Sequence, residues 1–106
     1  MDNPNKLMDL FKKSLPFLSA IGDPTRQQLI VLISSSERLS VKELTAHTDL
    51  SRPTISHHLK VLMDAQIVVA NKVGREIYYT LQPGEYFYVV EELVREVNKV
   101  VNKEKN

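Results

Sequence analysis

A chain of 106 residues with 14 Lys and Arg against 13 Asp and Glu, a formal charge of +1, has the size of one domain and is no polycation that coats nucleic acid indiscriminately. It contains no cysteine, which excludes disulfides, thiolate metal sites and thiol redox switching together. No run approaches the roughly 18 apolar residues of a membrane span. The opening MDNPNKLMDL is polar and acidic rather than basic then apolar, so no signal peptide, no membrane and a cytoplasmic location are expected.

Taken in chain order, Asn3-Pro4 offers a cap followed by proline at the first helical position. A first helix then carries Leu7, Leu10, Phe11, Ser14, Leu15 and Leu18, with Pro16 expected to kink or end it. Gly22-Asp23-Pro24 breaks the chain and caps a second helix, whose apolar face is Leu29, Ile30, Leu32 and Ile33 and which ends in Ser34-Ser35-Ser36. Ser40-Val41-Lys42-Glu43 is a capping box, opening a short third helix to about Thr48 that buries Val41, Leu44 and Ala46. After the turn Asp49-Leu50-Ser51, Ser51 caps a fourth helix, which tolerates Pro53 because first-turn amides have no intrahelical partner. Ile67–Ala70 and Ile77–Leu81 are β-branched and aromatic segments joined at Val73-Gly74, a hairpin with glycine at its tip. Pro83-Gly84 leads into a last helix to about Lys103. The order is α-α-α-α-β-β-α, mainly helical with one β-hairpin (α+β), and a short extra strand fits near Leu39.

The third helix, the turn and the fourth helix carry the chemistry. At 100° per residue, Ile55, Leu59 and Leu62 share one face of the fourth helix, with His58 and Ala65 beside them. The other face holds Pro53, Ser56, His57 and Lys60, flanked by Arg52 and Thr54. A face that is small, polar and basic toward the helix start suits entry into a DNA major groove N-terminus first, where free amides and the helix dipole also favour phosphate. Charge order agrees: Arg38 to Arg75 holds six basic and three acidic residues, a net +3, and the rest of the chain is −2.

Asp23-Pro24-Thr25-Arg26, the run from Ser51-Arg52-Pro53-Thr54-Ile55-Ser56-His57-His58 to Leu62, and Gly74-Arg75-Glu76-Ile77-Tyr78-Tyr79 together resemble ArsR/SmtB-type winged-helix repressors, in order over nearly the whole chain. The resemblance implies a winged helix-turn-helix fold over residues 1–106, a recognition helix at Ser51–Met63 and a wing at Ile67–Leu81. It further implies a homodimer bound to an imperfect inverted repeat of double-stranded DNA. On this chain the DNA-binding residues would be Ser51, Arg52, Pro53, Thr54, Ser56, His57 and Lys60, with Lys72 and Arg75 on the wing. The dimer would form through Leu7, Leu10 and Phe11 of the first helix and Phe87, Val90, Val94, Val97 and Val101 of the last.

Two departures stand out. Gln66 occupies a position after the fourth helix where the family usually has glycine, and must accept a left-handed conformation or end the helix differently. The metal sensors of the family carry cysteines in the third helix or Asp/His pairs in the last. Here the third helix reads Lys42-Glu43-Leu44-Thr45-Ala46-His47-Thr48 and Glu85–Asn106 contains no histidine, so those ligands have no counterpart. Adjacent His57 and His58 diverge by about 100° on a helix and cannot chelate one ion together. His58 is expected as a hydrogen-bonded core histidine and His47 at the third helix's C-terminal end. Neither a metal nor any cofactor is called for.

In the last helix, Tyr86, Phe87, Val89, Val90, Leu93, Val94, Val97, Val100 and Val101 span about 160° of circumference, more than the roughly 100° needed to cover one core. That surplus itself points to a partner helix, most simply its twofold mate.

Three rival functions predict different residues or the same ones. An enzyme would need a nucleophile–base pair, a metal set or a phosphate loop, and no GxxxxGK[ST] or GxSxG is present. A winged-helix module that binds protein and not DNA would carry an acidic or apolar outward face on the fourth helix. A DNA binder that activates transcription or shapes DNA would carry the same face as a repressor.

Overall fold

The structure is a computed structural model that describes residues 4–105. Asn3, the expected first cap, lies outside them. The elements are α1 (Pro4–Ile21), α2 (Pro24–Ser34), β1 (Leu39–Ser40), α3 (Val41–Ala46), α4 (Arg52–Asp64), β2 (Val68–Val73), β3 (Glu76–Leu81) and α5 (Glu85–Lys105). The three strands form one antiparallel sheet in the order β1-β3-β2, so the extra strand near Leu39 is present and pairs Leu39 with Tyr79.

Local chemistry sets most boundaries. The Asp23 side chain accepts from the Arg26 amide at 3.0 Å to start α2. Ser40 and Glu43 close the reciprocal capping box of α3 at 3.1 and 3.2 Å. The helices meet around Leu29, Ile33, Leu44, Ile55, Leu59 and Leu62, each with at most 1% of its surface exposed. Burial on that scale is worth about 1.5–3 kcal/mol per side chain. From the sheet, Val68 and Tyr79 close the core.

Four expectations need correction. Pro16 does not end α1, which runs on to Ile21. It costs a single hydrogen bond, and it sits on the exposed side, where the Lys12 carbonyl it frees can bond water. Packing on α5 holds the helix on both sides of it, with Lys6 3.5 Å from Glu92 and 3.4 Å from Glu96 before it and the Phe17 ring 6.1 Å from that of Phe87 after it. α3 stops at Ala46, not Thr48, because the Thr48 hydroxyl donates to the Leu44 carbonyl at 2.9 Å and turns the chain; Ala46 is consequently exposed. The strands run longer than their apolar segments, and the hairpin turn is Gly74-Arg75, one residue later than expected. Gly74 has φ 63° and Arg75 does not share the positive φ, the pattern of a II′ turn that matches strand twist.

Candidate nucleic-acid interface

The interface is built outward from α3 and α4. Leu44 and Ile55 are fully buried and lock the two helices together. Between them, the Leu50 amide donates to the Thr48 hydroxyl at 3.2 Å, which tightens the turn. Ser51 then caps α4, its Oγ accepting from the Thr54 amide at 3.4 Å and donating to the Thr54 hydroxyl at 2.9 Å. With Ile55, Leu59 and Leu62 turned inward, α4 leaves Ser51, Arg52, Pro53, Ser56, His57 and Lys60 exposed, and Thr54 half-buried behind its cap. Arg52 and Ser56 make no side-chain hydrogen bond or ion pair among the described residues. Lys60 stands 3.5 Å from Asp64, one turn on, in a pair whose members are both more than two-thirds exposed. Such a pair contributes little and exchanges readily for a phosphate.

The wing projects beyond this face. Val73 pairs with Glu76 and Lys72 with Ile77, so Lys72 leaves the hairpin on the face that carries Tyr79 to the core, while Arg75 sits in the turn; both are exposed. On the other edge, the residue just before β1 adds a basic group that the sequence marks only as charge. The Arg38 guanidinium lies over the Tyr78 ring, 4.1 Å from its centre, which holds it against the sheet.

A capped helix with an exposed polar and basic face, preceded by a short helix and tight turn and followed by a basic-tipped hairpin, is a winged helix-turn-helix. The pattern describing the bacterial regulatory proteins of the arsR family matches residues 23–69, from the cap of α2 into β2. An uncharacterized HTH-type transcriptional regulator of Methanocaldococcus jannaschii is 32% identical over 96 residues, covering 91% of this chain and 99% of that one. The chain belongs to the arsR family. An arsenical resistance operon repressor of Staphylococcus xylosus is 32% identical over 83 residues, 78% of this chain and 79% of the relative. An ArsR-like transcriptional regulator from Rhodococcus sp. RHA1 has the same fold, with a TM-score of 0.70 at 22% identity over 90% of this chain and 85% of that one. Family membership makes the protein a DNA-binding transcriptional regulator rather than an enzyme.

Within this arsR-family fold the histidines take separate positions. His47 caps the C-terminal end of α3. His57 is exposed. His58 is half-buried at a seam and not in the core: its Nδ1 lies 3.3 Å from an Arg26 Nη. Arginine can only donate, so in this contact Nδ1 is the acceptor. The same guanidinium donates to the Ala20 and Ser19 carbonyls at 2.7 and 3.3 Å, tying the end of α1 to α2 and α4. Beside it, the Arg26 amide holds the Asp23 carboxyl below the usual carboxylate range. Among the described residues no group of three or more His, Cys, Asp or Glu could hold a metal ion, and no helix is long and apolar enough to cross a membrane.

The residues expected at a dimer interface divide. Leu10, only 6% exposed, is buried against its own chain and has almost no surface left for a partner, a correction to its assignment. Leu7 and Val90 are half-buried. Phe11, Phe87, Val94, Val97 and Val101 are 37–62% exposed. Met8 and Leu15, not among the residues expected at the interface, share the exposed stripe of α1 with Phe11 at i, i+3 and i+7. Between α1 and α5, Phe11, Val94, Val97 and Val101 line an open apolar groove.

Proposed function

We propose that this single winged-helix domain acts in the cytoplasm as a homodimeric repressor that binds an imperfect inverted repeat of double-stranded DNA. In this reading α4 lies in the major groove, with Ser56, His57 and Lys60 toward bases and Ser51, Arg52, Pro53 and Thr54 at the helix start toward base edges and phosphate. Lys72 and Arg75 reach the backbone or the minor groove, and α1 and α5 join the two copies. Occupying a promoter is enough to block transcription, which agrees with the repressor name of the Staphylococcus relative.

The observation that carries the reading is unburied apolar surface. The chain exposes 7303 Å², whereas a monomer of 12.1 kDa ordinarily exposes about 6,000 Å². A surplus of that order exceeds the roughly 800 Å² each partner buries in a standard interface. The exposed apolar side chains of α1 and α5, among them Phe11, Leu15, Val94, Val97 and Val101, contribute to it. A twofold pair would also present two α4 helices, the arrangement that matches an inverted repeat.

Light scattering at micromolar concentration should give about twice 12.1 kDa. Val94→Glu with Val97→Glu should give monomers that lose affinity for the inverted repeat selected from a random duplex pool. A wild-type monomer that bound that duplex tightly would sink the reading.

A further inference from the structure

The end of α4 and the start of α5 are tied through one residue. α4 closes with the Gln66 amide donating to the Met63 carbonyl and the Ile67 amide to the Leu62 carbonyl, both at 3.0 Å. This Schellman-type closure requires a left-handed residue between them, and Gln66 has φ 59°. No other non-glycine residue described has a positive φ. Glycine takes that conformation freely and glutamine does not, so the side chain must offset the strain through a contact of its own.

That contact is with α5. Gln66 Oε1 accepts from the Tyr86 amide at 3.3 Å, across 20 residues of sequence. Tyr86 lies in the first turn of α5, where amides have no preceding helical carbonyl, and the side chain of the preceding cap residue ordinarily answers them. Here the residue in that place is Gly84, which has no side chain. A Cβ on Gly84 would lie 2.6 Å from the Gln66 Cβ and 2.9 Å from its Oε1, so the position has been cleared for Gln66. The backbone adds a second tie, the Gln82 amide donating to the Ile67 carbonyl at 3.0 Å. α5 is therefore capped from the end of α4.

We propose that Gln66 is a positioning residue that fixes the angle between α4 and α5 and thereby sets the half-site spacing the dimer accepts. The proposal rests on the dimeric, inverted-repeat reading above. In a twofold pair joined through α1 and α5, a pivot at this joint moves both α4 helices at once, so a small change of angle is doubled in their separation. Two grooves one helical turn apart tolerate little such change.

The absence of cysteine makes the test direct, because Lys60→Cys places one spin label on α4 of each copy. Measured without DNA by electron–electron resonance, the distance distribution should broaden when Gln66→Gly is added, although glycine suits the backbone and the melting temperature should hold. On DNA, the Gln66→Gly chain without the label should lose about tenfold of the preference for the selected inverted repeat over the same repeat with a base pair inserted at its centre. Gln66→Glu, which keeps an acceptor at the same reach, should retain both the narrow distribution and the preference. Unchanged width and preference in Gln66→Gly would overturn the proposal. A wild type indifferent to spacing would overturn it too: a monomeric mass would then take the dimer reading down with it, and a dimeric mass would leave that reading standing.

Discussion

In α4 the three apolar residues spaced for one face, Ile55, Leu59 and Leu62, are all fully buried by their own chain. In α5 Leu93 is buried, while Val94, Val97 and Val101 remain 62%, 37% and 42% exposed. Both helices are amphipathic, yet they answer different demands. α4 must be held rigidly from behind so that its polar side can be presented to a groove. α5 covers α1 with part of its apolar arc and leaves the remainder exposed. The width of an apolar arc therefore separates a helix whose apolar face is fully covered by its own chain from one left with apolar surface that the proposed dimer would cover.

Stability measurements offer the strongest way to break this comparison. Leu59→Ala removes side-chain volume from a sealed core and should cost about 2–5 kcal/mol in denaturant unfolding. Val97→Ala should cost far less per chain, and its effect should change with protein concentration because it acts through association. If both losses were equal and independent of concentration, α5 would be as complete as α4.

DNA affinity sharpens the contrast on the polar side. Ser56→Ala or His57→Ala, if either removes a base contact, should cost about 1–3 kcal/mol on the selected repeat and shrink the ratio of its affinity to that of random duplex. Lys72→Ala with Arg75→Ala should weaken both duplexes alike and lower the salt slope by about 0.9 for each phosphate no longer neutralised. Titrations at several salt concentrations separate the two outcomes. Loss of discrimination in the wing variant alone would reverse the roles of reader and clamp.

The smallest expected effect lies at the base of α2. Asp23 has its carboxyl held low by the Arg26 amide. A depressed folded value means that its stabilisation is present above the ordinary carboxylate range and is lost as pH falls through that folded value. Asp23→Asn keeps an acceptor for the cap and should match the wild type near neutral pH, while its melting temperature falls less steeply in acid. Equal acid slopes in thermal melts would show that Asp23 does not contribute through its charge.

Much of this fold is legible in sequence because its signals are local. The Ser40/Glu43 box, the Ser51 cap and the Ile55–Leu59–Leu62 spacing each lie within a dozen residues. What escapes is set by distance or by a partner element. The ring of Pro16 is harmless only because it faces solvent while α5 supports the helix behind it. Arg38 and Tyr78 meet through the pairing of β1 with β3, 40 residues apart in sequence. Gln66 stands out as a departure needing a left-handed backbone, but its bond to Tyr86 belongs to the tertiary packing. Leu10 shows the opposite failure, since periodicity places it on an apolar face and cannot say whether its own chain or another covers it.

Gly74, at the tip of the wing, has φ 63° and, beyond its two chain neighbours, no atom within 4 Å of where a Cβ would stand. The position is thus restricted by chirality and not by space: what it excludes is a residue of the natural hand. A D-alanine there would adopt the same dihedral without strain, leaving Lys72 and Arg75 where they are. By narrowing the conformations open to the unfolded hairpin, it would pre-order the wing before any DNA is met. Stiffness of the wing and chemistry of the wing are in this molecule independently adjustable.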